Sequence, residues 1–426
     1  MTPLVLIAVF LYGIPIALAV DARLRGAALA GTSFLLGIGT IALHMFTLSV
    51  LRIPWTRTSV LLALAPLFIL TTILAKRRAW LQPAHSREGR AGAMPYVVDL
   101  IVLVALVAYA IFALCRPPYE WDFYGIWGLK AKWFFEAGGV DWTFLRTNTS
   151  HPDYPLLVPL MFDFLAVVTG GWNDAAFGWL YIAIGASLIA IVRGHAPALV
   201  TLAAAFPALS VWIGHAEGAV MAYGCAGLLF LRAGSIRTGA IFLGLAAWSK
   251  NEGLAWIVTA ALALLIATRG IRKVLALWPA VALISPWLIA RSVLKLPTDL
   301  AQGSALQRIL EHLRDPVTTF NALWSATPDQ PYFWLVVALI VVLYARRAVQ
   351  REQFLLLALL LQSAALVVPL LATPFDLGGH ASFALNRIPH QLAPAAAFLA
   401  AMLLTRDLSA PSPSGESLPP PRPSTD

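Results

Sequence analysis

The chain has 426 residues, of which 59% are hydrophobic and only 12% charged, against roughly 25% charged in an average soluble domain. That balance excludes an ordinary soluble globule and makes the bilayer the expected solvent. The net charge of +9 is scattered over many short segments, which argues against a nucleic-acid surface, and two cysteines, Cys115 and Cys225, exclude a disulfide framework or a cysteine-rich metal site.

A helical span needs about 20 mostly apolar residues. Pro3–Val20, Ala28–Val50, Thr58–Ala75, Val97–Cys115 and Trp172–Val192 supply such runs in the first half of the chain. The first has no basic residue before it and no cleavage site followed by a soluble domain, so it is expected to be a retained helix and not a signal peptide. Basic clusters punctuate the runs at Arg23/Arg25, Lys76-Arg77-Arg78, Arg232/Arg237, Arg269/Arg272/Lys273 and Arg346-Arg347/Arg351. The positive-inside rule keeps such clusters cytoplasmic.

Tyr154–Gly170 decides whether that rule can be met. It is apolar, but it begins among prolines and carries Asp163. If it crossed, every later cluster would face outward while Lys76-Arg77-Arg78 stayed inside. An interfacial or re-entrant helix there leaves all of them on one side. The expected fold is therefore an all-α polytopic membrane protein of about thirteen transmembrane helices, with an extracytoplasmic loop of interfacial helices, an external N-terminus and a cytoplasmic C-terminus.

Under this topology the long external loop is Arg116–Gly171, and a second is Lys295–Gln330, whose SALQRILEHL stretch has apolar residues at helical spacing. Residues 1–96 form a three-helix membrane region, 97–404 the main membrane domain, and 405–426 a Pro- and Ser-rich cytoplasmic tail expected to be disordered. There is no P-loop, Gly-rich dinucleotide fingerprint or internal repeat in the sequence. ATP-driven coupling within the chain is thereby disfavoured.

The first loop interleaves aromatics such as Trp121, Phe123, Tyr124, Trp127 and Trp133 with polar groups, and most of these aromatics fit a membrane-interface belt. Glu120 and Asp122 stand apart. They follow a span directly, at the hydrocarbon boundary where an acid has a desolvation cost, and a carboxylate there can act as general base or metal ligand. As an E-x-D pattern they are equally consistent with a structural role.

Further polar groups fall at other external helix ends: His215 and Glu217, then Lys250-Asn251-Glu252, then Arg387 and His390. A buried structural ion pair of Lys250 with Glu217 or Glu252 is one reading. The other is a site in which Lys250, Arg387 and His390 clamp a phosphate while carboxylates handle a hydroxyl.

WDFYGIWGLKAKWFF and HPDYPLLVPL in the loop, then GHAEGAVMAYG, GLAAWSKNEGLAWI and NRIPHQLAPAAAFLA, follow in an order that resembles the GT-C class of lipid-linked-sugar glycosyltransferases. The bacterial relatives of protein O-mannosyltransferases and lipid A aminoarabinose transferases are the nearest in pattern. The resemblance covers roughly Val97–Leu404. It departs at the acidic motif, where Asp122 precedes Phe123 and its acidic companion, Glu120, comes before it, and at Ser249, where the class has Thr. Three helices also precede the loop-bearing span.

The resemblance implies an inverting glycosyltransferase of the bacterial inner membrane. Its donor would be a sugar on a polyprenyl phosphate, and its acceptor a hydroxyl on a glycan, lipid or protein at the extracytoplasmic face. Asp122 would be the base, with Glu120 and Glu217 orienting it or the acceptor. Lys250, Arg387 and His390 would meet the departing phosphate, Lys130 and Lys132 the lipid phosphate, and His151, His215 and Glu252 would complete the substrate contacts. No cofactor is expected, and a divalent metal held by Glu120 and Asp122 is the less favoured variant. A transporter or lipid flippase is the alternative function, and a non-catalytic scaffold a further one.

Overall fold

The computed structural model describes residues 1–80, 94–118, 120–147, 150–210, 213–298, 303–326 and 331–405. The expected disordered tail lies outside the described residues from 406 onward. Every described element is helical, with no strand among the described residues. The chain opens with α1 (Thr2–Val20), α2 (Gly26–Val50), α3 (Arg57–Trp80) and α4 (Met94–Cys115). A π-helical turn (Phe123–Trp127), α5 (Gly128–Ala137), α6 (Trp142–Thr147) and α7 (Leu157–Thr169) occupy the long loop. There follow α8 (Phe177–His195), α9 (Ala198–Ala208), α10 (Glu217–Arg232), α11 (Ile236–Ser249), α12 (Glu252–Thr268), α13 (Ile271–Leu275) and α14 (Trp278–Leu294). The chain continues through α15 (Ala305–Arg314), α16 (Pro316–Ser325), α17 (Pro331–Leu343), α18 (Ala345–Arg351), α19 (Gln353–Leu371), α20 (Leu377–Leu385), a 3-10 turn (Ile388–Gln391) and α21 (Ala393–Thr405).

Seven described helices are long and apolar enough to cross a membrane, or up to nine if each of two bent pairs is one span. The bends are 80° between α17 and α18 and 51° between the segment Leu377–Gln391, which joins α20 to the 3-10 turn, and α21. The sequence-based number is larger because it includes α9, α10, α11 and α12, of 11, 16, 14 and 17 residues, short of the roughly 20 that a span requires. Exposed leucines and isoleucines along α3 and α4, among them Leu62, Ile69, Leu100 and Ile111, suit lipid contact.

The first three helices share their hydrophobic core with the rest of the chain. Close helix contact depends on small residues. A Cβ on Gly13 would overlap the Ser33 carbonyl oxygen between α1 and α2, and one on Gly31 would overlap the Ser187 carbonyl oxygen between α2 and α8. Tyr223 of α10 donates to the Leu35 carbonyl of α2 at 2.8 Å.

Two opposite ends emerge from the contacts. Arg23 pairs with Asp21 and donates to Ser235, Arg78 donates to the Val20 carbonyl, and Arg232 pairs with Glu352. These contacts gather most of the basic clusters at one end, at the foot of α10. At the other end of α10, Glu217 meets Lys250. The Tyr154–Gly170 segment stays at this second end. It forms α7, whose Val167 carbonyl accepts from Arg57 at the start of α3, while α3 finishes at the basic end. Every residue of α7 from Leu157 to Val167 is buried, so the helix is tucked into the body and does not lie on its surface.

Candidate functional site

The end of α10 opposite the arginines collects charged groups from four separate segments. Asp122 stands immediately before the π-turn, a wide helical turn of a kind that recurs at functional sites. Its carboxylate makes a short ion pair with Arg387, just before the last 3-10 turn. The same Arg387 nitrogen lies 3.2 Å from His215 Nδ1 and 4.0 Å from Glu217 Oε1. Glu217 Oε1 accepts from Lys250 Nζ at 3.0 Å, and Lys250 also meets Glu252 Oε1 at 2.8 Å. Three carboxylates thus alternate with two cations around a histidine. Glu217 and Glu252 each begin a helix, where the macrodipole favours negative charge.

Burial strengthens these contacts. Glu217 and Lys250 are 3% exposed, so neither charge has water to turn to. Burial alone would push the Lys250 ammonium down, but the carboxylates of Glu217 and Glu252 outweigh it and hold the group above its ordinary value. His215 moves the other way. Burial holds its imidazole below the usual range despite the pull of Glu217 and Asp122. A neutral ring whose Nδ1 accepts from Arg387 places its proton on Nε2. The His215 carbonyl is anchored by the Tyr181 hydroxyl at 2.5 Å.

Asp122, His215 and Glu217 offer ligand atoms all within 4.8 Å of one another. A cation there would compete with Arg387 for the Asp122 carboxylate and the His215 nitrogen. The grouping also differs from the Glu120–Asp122 pair, the less favoured metal variant of the sequence reading.

Glu120 lies elsewhere. It lines a cavity of about 630 Å³ between α4 and α9, whose walls are apolar residues such as Ala105, Phe112, Phe206 and Ile213, with Arg116 and Ser210 among the polar ones. Ser210 lies 3.4 Å from His390 Nδ1, and Ile213 is two residues from His215, so the cavity adjoins the charged cluster.

The remaining expected contacts separate into two fates. Lys132 is exposed. Lys130 is fully buried instead of facing headgroups, because α5 turns it inward beside Trp127 and Phe134. Its Nζ donates to the His151 carbonyl at 2.6 Å and sits 5.8 and 5.7 Å from the rings of Trp127 and Tyr154. Burial pulls its pKa down to about 7, with Asp153 opposing. Tyr154 is stacked between Trp127 and His151, and its ring is also 5.9 Å from Lys250 Nζ, which links this buried lysine to the cluster. Asp153 accepts from Asn251 at 2.8 Å and lies 3.7 Å from Arg291. Arg291 escaped the sequence reading; its only signal is a basic residue in the last turn of a helix that ends on this side.

No protein-family model, curated protein or solved structure matches this chain.

Proposed function

We propose that the chain is a glycosyltransferase that moves a sugar from a polyprenyl phosphate to an acceptor hydroxyl at the extracytoplasmic face. The observation that carries this reading is the junction of a largely apolar cavity between α4 and α9 with an alternating acid–base cluster. An isoprenoid chain suits the cavity between α4 and α9, and Arg387, Lys250 and His390, in the neighbouring cluster, suit a phosphate. In this reading all thirteen apolar helices cross a bacterial inner membrane and the arginine-rich end is cytoplasmic. The placement of both ends of α7 away from that end supports it.

The Asp122–Arg387 pair then describes the site before the donor enters. The donor phosphate takes Arg387, which releases the Asp122 carboxylate to accept the proton of the acceptor hydroxyl. The acceptor oxygen bonds the anomeric carbon as the bond from that carbon to the phosphate oxygen breaks, with inversion. The bonding pair leaves with the phosphate, whose added charge is offset by Arg387 and Lys250 in a water-poor setting. Glu217, fixed by Lys250, keeps the cluster in register. A metal at Asp122, His215 and Glu217 is not needed for this sequence of events.

One observation favours transport instead. Asp163 is fully buried in α7 and neither carboxylate oxygen has a hydrogen-bond partner among the described residues, as an acid on an ion or proton path would be. The two readings separate in liposomes containing the purified protein, a polyprenyl-phosphate hexose and a membrane extract as acceptor. Asp122→Asn is expected to retain donor binding and lose transfer by about 10²–10⁴-fold. Unchanged transfer removes Asp122 as the base, and vectorial movement of solute without transfer favours the transporter.

A further inference from the structure

The arginine-rich end holds a second built feature, unrelated to the acid–base cluster. A cavity of about 490 Å³ opens there between the α1–α2 turn, the last turn of α3 and the α10–α11 turn. Its lining includes Arg23, Arg78 and Arg237 from three different segments, together with Asp21, Ser235 and Thr238. Its lining is more polar than that of the cavity beside the cluster.

The three arginines are not equivalent. Arg23 is a fixed wall: its Nε and one terminal nitrogen reach the two Asp21 oxygens at 2.9 and 2.8 Å, and it donates to Ser235 at 2.7 Å. Asp21 is saturated, since it also accepts from the Arg23 backbone at 3.0 Å and from the Ser235 hydroxyl at 2.9 Å. That single acid therefore neutralises one arginine only. Among the described residues Arg78 makes one bond, to the Val20 carbonyl at 3.1 Å, which leaves most of its five donors unspent there. Arg237 has no hydrogen-bond or ion-pair partner among the described residues and is exposed in the first turn of α11. Two surplus guanidinium groups thus face one polar hollow at the level where α1, α3 and α10 end.

We infer that this hollow is a phosphate-recognising site, in which Arg78 and Arg237 grip a phosphate group and Ser235 and Thr238 border it. Guanidinium forks match phosphate oxygens in a way that a lone ammonium does not. Basic hollows between helix ends take the headgroups of anionic phospholipids, and a soluble phosphate shares the same chemistry. The site lies at the opposite end of α10 from Glu217, so it stands or falls independently of the proposed transfer reaction.

Native mass spectrometry of the full chain released from detergent tests it, with phosphatidylglycerol, phosphatidylcholine and inorganic phosphate as probes. The wild type is expected to retain phosphatidylglycerol in preference to phosphatidylcholine. Arg237→Gln, at an exposed residue with no hydrogen-bond or ion-pair partner among the described residues, weakens that retention roughly fivefold, and adding Arg78→Gln weakens it further. Arg237→Lys restores charge but only part of the retention. Arg272→Gln, an exposed arginine outside the hollow, leaves it unchanged. Displacement of the lipid by inorganic phosphate assigns a soluble phosphate as the source, and resistance to it assigns the lipid headgroup. Equal losses in Arg237→Gln and Arg272→Gln, or no preference for the anionic lipid, overturn the inference.

Discussion

Lys250 is held by buried Glu217 and half-buried Glu252, and its removal would leave Glu252 without a cation among the described residues and Glu217 with only Arg387, 4.0 Å away. Lys250→Met is therefore expected to destabilise the protein by about 3–5 kcal/mol. Adding Glu217→Gln should recover part of that loss, which thermal unfolding of the detergent-solubilised protein would show as a partial return of Tm. If the double variant is no more stable than the single, the pair is not the source. Lys130 behaves differently because no carboxylate is bonded to it. Its pKa is about 7 in the fold against 10.5 when free, so between those values the unfolded chain binds the extra proton and stability rises with pH. The charged form buried below pH 7 is the unfavourable one. Lys130→Met should flatten that rise in Tm across pH 7 to 10, and parallel profiles for wild type and variant would refute the assignment.

At the scale of helices, packing rests on positions where no side chain fits. Gly31→Ala would drive a methyl into the Ser187 carbonyl and part α2 from α8, with an expected loss of about 1–3 kcal/mol. Gly171→Ala, where nothing lies within 4 Å, is the matched control, and equal melting of the two variants would contradict the packing argument. Hydropathy made helices such as α1, α2 and α8 legible, since about 20 apolar residues leave the backbone few alternatives in lipid. The π-turn was not legible, because Phe123–Trp127 differs from an α-helix only in hydrogen-bond register. The inward face of α5 was equally hidden: half a turn of rotation decides whether Lys130 faces outward or inward, and its partners His151 and Tyr154 lie on a later segment.

For the whole molecule, charge pattern predicted which loops share an end, and the contacts of Arg23, Arg78 and Arg232 bring together all of those loops except the one of Arg269, Arg272 and Lys273. The meeting of Glu217 with Lys250, 33 residues apart, was one of two partners open to sequence; the other, Glu252, also pairs. The Asp122–Arg387 contact spans 265 residues and has no local signal at all. Which face is external follows from labelling. With Cys115 and Cys225 replaced by serine, Gly171→Cys is expected to react with an impermeant thiol reagent on intact cells and Arg272→Cys only after permeabilisation. The reverse pattern would invert the proposed orientation.

Arg387 has one more property, set by what carries it. α20 before it packs on a small apolar group, Leu370, Leu377 and Ala384 with Leu323 and Ile388, whereas Ile388 of the 3-10 turn after it also packs on the main core, to which Phe123 beside Asp122 belongs. Small satellite clusters open at lower free energy than the body they rest on. The ion pair thus ties the main core to a segment seated partly on the satellite and partly on that core. A ligand that drew Arg387 away would strain the satellite under α20 first, while Ile388 stays seated on the main core that also carries Phe123.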